Sequence, residues 1–549
     1  MDAHGHLIVK HDLFNHDGLT QDGIAEAFIE FAKKEHLSFF DCGLSGFKNL
    51  TGLYAEAFDA VKYRALLERL VINEMMLSEM CKSERLDANF AAFPERYYLK
   101  NILEKNEWKT IGEIAIYISS GHTPYLHNVK ENGDIDFVTV ECVSDLTLHF
   151  DKLKSISLKH FDNEFKKNRL TKGSVLCTIK RRICKSFPII KDYGKVAFNQ
   201  DIAFITPNEE VSAVYLSTFL CSKIGQLLAN RQMTEQINPY ISVENLSKLP
   251  VVITSKGFQD KIELLFLTAD DLREVSLKTY TQAETLLLNA LGMADFLPST
   301  EKVNIKSFKD SFVANGRLDA EYYQPKYEEM MAHIATQAHE KLTALVTIKK
   351  SIEPGSDAYA EDENGLPFLR VADYNKLGIT EPQKKLKAAF VTENKKKLVA
   401  LKPKAGTILF SKDGSVGEAY CLREDANFIT SGAILHLIVR DTEQVLPDYL
   451  TLVLNSKLIR MQAERDAGGS IILHWRISEI ENVIVPVVNM TIQTQITFLV
   501  RESFTLKAES ERLLATAKRA VEIAIETNEQ TAMAYINEQT GEKSCTPKN

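Results

Sequence analysis

No stretch of this 549-residue chain approaches the roughly 18 consecutive apolar residues that a membrane span requires, and its first residues lack the basic-then-apolar pattern of a secretory leader. A soluble, cytoplasmic protein is therefore expected. The eight cysteines (Cys42, Cys81, Cys142, Cys177, Cys184, Cys221, Cys421 and Cys545) are scattered, and none forms a CxxC pair. That removes the usual zinc and dithiol spacings and leaves reduced, mostly buried thiols. There is no Walker loop, GxSxG elbow or HExxH motif, so motor, esterase and zinc-protease chemistry have no support. The thirteen histidines show no paired ligand spacing, and no metal site is expected. The chain also lacks an overall basic charge: a formal net charge of -8 argues at first sight against nucleic acid, whose binding rests on neutralising phosphates.

The distribution of charge says something different from its total. Residues 152 to 185 carry eight Lys and three Arg against Asp162 and Glu164, a net +9, and residues 384 to 404 carry eight Lys against Glu393, a net +7. One such run is commonly a solvated surface. Two runs at matching places in a repeat are less easily set aside.

A repeat is present, and self-similarity at a long, fixed offset means that one architectural unit is used twice. Arg85-Leu86-Asp87-Ala88 recurs as Arg317-Leu318-Asp319-Ala320, followed by Phe90 in the first copy and Tyr322-Tyr323 in the second. Phe137-Val138-Thr139-Val140 aligns with Phe368-Leu369-Arg370-Val371, and Gly173-Ser174-Val175-Leu176 with Gly406-Thr407-Ile408-Leu409. Tyr215-Leu216 matches Tyr449-Leu450. Leu249-Pro250-Val251 matches Val485-Pro486-Val487, and Gln259 with Ile262 matches Gln493 with Ile496. The offset stays between 231 and 236 residues and the order never changes.

Each copy reads as short strands and loops punctuated by Gly and Pro, then a helix-rich segment, then one long helix. The first long helix is expected from about 258 to 291, with Ile262, Leu265, Leu272, Val275, Leu286 and Leu287 as its apolar stripe. The second is expected from about 492 to 526, with Ile496, Leu499, Leu506, Leu513, Leu514, Ala517 and Val521. About 34 residues at 1.5 Å each make a rod near 50 Å. Such a rod needs a partner along its seam, and two copies in one chain supply each other. The other reading of each segment is a core helix of a globular domain.

Two globular units held apart by paired helices resemble the specificity (S) subunit of type I restriction-modification enzymes, with two target-recognition domains and two helical spacers. The local patterns that carry the resemblance are Ile118-Ser119-Ser120-Gly121-His122-Thr123-Pro124, the run from Gly406 through Ser411-Lys412-Asp413-Gly414-Ser415-Val416-Gly417, Gly468-Gly469-Ser470, and the Leu-Pro or Val-Pro step before Gln259 or Gln493. The match covers roughly residues 107 to 526. It implies an α+β protein: two pseudo-repeated α/β target-recognition domains alternating with two long antiparallel spacer helices, plus a helical N-terminal region. The expected boundaries are 1–105 for the N-terminal region, 106–257 for the first recognition domain and 258–295 for its spacer. Residues 296–340 form a linker and the start of the second repeat, 341–491 the second recognition domain, 492–527 its spacer and 528–549 a tail. The region around His11-Asp12-Leu13-Phe14-Asn15-His16-Asp17-Gly18 faintly resembles the tail of a type I methyltransferase subunit, which raises a fused or split gene as an origin.

The two copies depart from each other at one place of interest. Thr178-Ile179-Lys180-Arg181-Arg182-Ile183-Cys184 stands where the second copy has Ser411-Lys412-Asp413-Gly414-Ser415-Val416-Gly417. Divergence of this kind is expected of domains that read different half-sites. Most protein–DNA hydrogen bonds go to phosphates, for which the candidates are Lys166, Lys167, Arg169 and Lys172 in the first copy, and Lys384, Lys385, Lys387, Lys395, Lys396 and Lys397 in the second. Arginine pairs with both major-groove acceptors of guanine, so Arg181, Arg182 and Arg370 are the candidate base readers, each against the alternative of a structural ion pair. Lys180 belongs to the same basic turn, and Lys412 beside Gly414 is a candidate for close approach to a phosphate.

No catalytic residue is expected. Asn238-Pro239-Tyr240 resembles a fragment of the adenine-methyltransferase motif but has one Pro too few and no glycine-rich cofactor loop before it, so it reads as a turn. Glu164-Phe165-Lys166 lacks an upstream acidic partner for a nuclease site. The resemblance implies partners instead: double-stranded DNA, methyltransferase (M) subunits and a restriction/translocase (R) subunit. S-adenosylmethionine, ATP and Mg would then sit on those partners, with no cofactor on this chain. The alternatives are the recognition half of a split or fused restriction-methyltransferase of another type, and a coiled-coil scaffold without DNA affinity.

Overall fold

In the computed structural model the described residues are 90, 93–124, 129–130, 133–165, 171–234, 238–360, 365–468 and 473–541. The chain divides into two units, 1–94 and 95–549. The sequence features assigned to residues 1–89, including the methyltransferase-like tail, lie outside the described residues. The second unit begins with a ten-residue helix, Arg96–Lys105, which buries Leu99 and Ile102.

The repeat is architectural. In the first domain Trp108–Thr110 pairs antiparallel with Pro250–Val252, closing the start of the domain on its end. His339–Lys341 pairs with Ile484–Pro486 in the same way in the second. Between these clasps each domain has an antiparallel sheet of four strands. Its order is Ala115–Ser120, Ile202–Pro207, Val175–Thr178, Ser186–Pro188 in the first, and Val346–Lys350, Ile434–Val439, Ile408–Ser411, Ala419–Cys421 in the second. The strands at the middle of these sheets, such as Val-Leu-Cys-Thr and Ile-Leu-Phe-Ser, are buried along their whole length, as continuous apolar runs should be.

A second, smaller sheet repeats its register as well. Ile135–Val138 lies parallel to Val196–Phe198 and antiparallel to Lys154–Ile156, with Phe137 opposite Lys154. Leu366–Leu369 lies parallel to Ile429–Thr430 and antiparallel to Lys384–Leu386, with Phe368 opposite Lys384. A short hairpin follows in each domain: Val143–Ser144 with Thr147–Leu148, and Tyr374–Asn375 with Gly378–Ile379.

The two long helices run Lys256–Ala290 and Met490–Glu526. Each starts from a buried glutamine that ties it to its own domain. The Gln259 side chain accepts from the Ser212 amide at 2.8 Å and donates to the Glu210 and Thr254 carbonyls at 3.0 Å. Gln493 accepts from the Leu446 amide at 3.0 Å and donates to the Gln444 and Val488 carbonyls. Tyr215 and Tyr449 repeat too, each donating its hydroxyl at 2.8 Å to the carbonyl of Val252 or Pro486.

Against each other the helices are antiparallel: Ser276 bonds to Ser503, and Ser510 bonds to Ala269. Of the expected stripe, Ile262, Leu265, Leu287, Ile496, Leu513, Ala517 and Val521 are buried, but the line of closest approach is made largely by small residues. The buried positions recur every seven residues as Ile262, Ala269, Ser276, Ala283 and as Ile496, Ser503, Ser510, Ala517, Ala524. Val275 is exposed, and Leu272 and Leu286 are only half buried. Small residues let the backbones come close enough for hydroxyls to reach carbonyls of the facing helix, which a leucine seam would prevent. Among the described residues no helix is long and apolar enough to cross a membrane, and the five described cysteines, Cys142, Cys177, Cys184, Cys221 and Cys421, are buried free thiols.

Candidate nucleic-acid interface

The two turns whose sequences differ share two left-handed backbone positions. In the second domain the turn after Ile408–Ser411 needs the left-handed region twice, at Gly414 (φ 75°) and Gly417 (φ 84°). In the first domain the residues at these places are Arg181 (φ 64°) and Cys184 (φ 53°). Left-handed geometry costs a side chain about 1–2 kcal/mol, so the first turn is held there by its surroundings.

Most of the bonds around the turns are duplicated, while within them the Arg182 amide donates to Lys180 in the first and the Val416 amide to Gly414 in the second. The amides of Cys184 and Gly417 donate to the carbonyls of Thr178 and Ser411 at 2.7 and 2.9 Å. The hydroxyls of Thr178 and Ser411 donate to the carbonyls of Arg182 and Ser415, and accept from the amides of Lys185 and Glu418 at 3.0 and 2.9 Å. The Arg181 amide donates to Pro239 at 2.8 Å, as Gly414 does to Leu473 at 2.9 Å. Tyr240 and His474 form matching bridges to Lys180 and Asp413. Asn238-Pro239-Tyr240 is thus the support of the turn.

The side chains on this common frame differ. In the first domain Arg181 is 65% exposed with its guanidinium 3.5 Å from Glu141, and Lys180 is 3.9 Å from Asp201; Arg182 is exposed. In the second, Lys412 is 17% exposed and ion-paired with Asp413, whose other oxygen is 2.8 Å from Nδ1 of His474. Its counterpart is the buried Ile179; Lys412 and Asp413 are both largely covered, and Gly414 and Ser415 are exposed. Arg370 caps a short helical turn and is 3.5 Å from the buried Asp373.

The remaining cations fall elsewhere. Lys172 lies at the opposite end of Val175–Thr178 from Arg181, in the turn at Gly173. Lys166, Lys167 and Arg169 lie outside the described residues. Lys384 and Lys385 are on the edge strand of the smaller sheet, where the Lys384 ammonium is 5.6 Å from the Tyr359 ring centroid, and Lys387 precedes the helix Ala388–Glu393. Lys395, Lys396 and Lys397 are exposed in the first turn of Lys395–Leu401, which is anchored by the buried Leu398. Cations are unfavourable at the positive end of a helix, so this triple is not placed there for the helix's stability.

Sequence reasoning missed Glu141, Asp201 and the Asp413–His474 pair, which lie beside the charged side chains of the turns. The offset alignment of Arg181 with Gly414 was the available signal that Arg181 sits in a position shaped for glycine. Among the described residues no group of His, Cys, Asp and Glu is arranged to hold a metal ion.

Two segments, 104–273 and 340–499, match the model of the type I restriction modification DNA specificity domain. The chain belongs to that family, carries the domain twice, and is a DNA-specificity subunit. No curated protein matches it. Solved structures similar to it include the type I restriction-modification S subunit from M. genitalium, at 12% identity over 78% of this chain and 96% of that one, with a TM-score of 0.31. The HsdS subunit from Thermoanaerobacter tengcongensis is similar at 15% identity over 79% and 96%, with a TM-score of 0.23.

Proposed function

We propose that the chain reads a bipartite DNA target, one half-site per domain, and performs no chemistry itself. The observation that carries this reading is the duplicated turn: one backbone frame, kept at an energetic cost in the first domain, bearing different outward side chains in each. A frame held constant beneath a variable edge is what two readers of different sequences require. In the first domain Arg181 and Arg182 are the base readers, Arg181 leaving Glu141 for a guanine edge. In the second, Gly414 and Ser415 stand at the equivalent edge, with Lys395, Lys396 and Lys397 as phosphate contacts. The paired long helices set the distance between half-sites.

Methyltransferase subunits would dock on the outer faces of these helices. Leu264 and Phe498, 52% and 65% exposed, occupy equivalent places on the two helices, as expected for two copies of one partner. The methyl donor, and ATP and Mg in a full restriction system, belong to such partners. The test is a genome-wide map of methylated adenines in cells with and without the chain, its methyltransferase partner present. Loss of one motif of two short half-sites around an unspecified gap supports the reading, and exchange of residues 107 to 250 should then alter one half alone. A methylation map independent of the chain would overturn it.

A further inference from the structure

The hairpin tip of each domain rests on the long helix of the other repeat, and the two contacts have opposite polarity. In the first domain Asp145 lies between Lys185 of its own domain, at 2.9 Å, and Lys518 of the second long helix, at 3.3 Å. At the equivalent place in the second domain is Lys376. Its ammonium is 2.6 Å from Glu284 of the first long helix, and its amide donates at 2.5 Å to Glu418, the counterpart of Lys185. All three positions are inverted: Lys, Asp, Lys in one junction and Glu, Lys, Glu in the other. None of the six side chains is more than about a third exposed, so solvent screens these contacts less than it does ordinary surface pairs. Burial alone would raise the Asp145 carboxyl, yet Lys185 and Lys518 outweigh it and hold it below the usual carboxylate range.

A repeat built from two identical copies could not have this pattern. If like halves were joined through the same geometry, Asp145 would meet Glu284 in one pairing and Lys376 would meet Lys518 in the other. Each like pairing sets equal charges in contact, and only the unlike pairing is complementary at both junctions. We infer that the inverted junctions are a sorting device that makes each half of the chain accept the other half and reject a second copy of itself. The device rests on the fold and does not depend on which DNA or partner is bound.

The test uses the full chain and variants of unchanged net charge. Exchanging the helix charges in Glu284→Lys/Lys518→Glu opposes like charges at both junctions and is expected to lower Tm by about 4 °C or more. The uncharged pair Glu284→Gln/Lys518→Met should fall between that variant and the parent. Inverting all six positions, by adding Asp145→Lys, Lys185→Glu, Lys376→Asp and Glu418→Lys, should recover at least half of the loss; recovery is partial because Glu418→Lys removes the acceptor of the residue-376 amide and sets a lysine beside Arg460, 3.9 Å from Glu418. The inference is overturned if the helix exchange leaves Tm unchanged, if the uncharged pair melts no higher than the exchange, or if the sixfold inversion recovers nothing.

Discussion

Ser276 and Ser503 exchange hydrogen bonds across the two long helices: each hydroxyl donates at 2.8 Å to the other's backbone carbonyl. The pair sits on the seam of small residues, with Ala269 and Ser510 making a one-sided version of the contact at 2.6 Å.

This contact separates two effects of mutation. Ser276→Ala/Ser503→Ala removes the hydroxyls but keeps the close approach, and the carbonyls retain their helical partners. The loss should be at most about 1–2 kcal/mol. Ser276→Leu/Ser503→Leu forces the helices apart, and overpacking should cost about 3 kcal/mol or more for the two sites. Thermal unfolding of both variants checks the order; a leucine pair as stable as the alanine pair would show that the helices can separate freely.

The duplicated turn makes opposite predictions for one backbone position. Arg181→Gly relieves left-handed strain, so stability should hold or rise by about 1 kcal/mol while preference at the first half-site weakens. Gly414→Ala adds a methyl group to open space, so its cost, about 1 kcal/mol, comes from backbone geometry alone. Unfolding midpoints and a binding series on degenerate half-sites measure the two sides.

Lys395, Lys396 and Lys397 are assigned to phosphates, so replacing all three with Ala should weaken every DNA sequence alike. The slope of log affinity against log salt should become shallower by up to about 2.7, at roughly 0.9 for each phosphate left without its lysine. A change of preferred sequence without a change of slope would assign these lysines to base reading instead.

Burial, with the nearby Lys349 charge adding to it, pushes His436 down to about 4, and its Nε2 lies 2.7 Å from the Thr430 hydroxyl. The unfolded chain therefore binds this proton from about pH 6.5 downward while the folded chain does so only near 4. Stability should fall as pH drops through that window and level off below it. Thermal melts between pH 7 and 4.5 should show a fall that is reduced in His436→Gln, the acidic residues contributing mainly at the lower end.

The repeat, and with it the number of domains, is legible in the amino-acid sequence. Apolar strand runs such as Val175–Thr178 and Ile408–Ser411, and the uninterrupted helices beginning near Gln259 and Gln493, are properties of local pattern that survive divergence. The family resemblance rested on the same order of elements. Three features depend on contacts between segments far apart in the chain. Which residues form the helix seam depends on how closely two backbones can approach, so Ser276 and Ala269 took places that hydrophobicity gave to Leu272 and Val275. Whether Lys412 faces outward depends on Asp413 and on His474, brought from 61 residues away. The inverted charges at Asp145 and Lys376 acquire meaning only from Lys518 and Glu284, because an ion pair is defined by distance in space and a sequence records distance only along the chain.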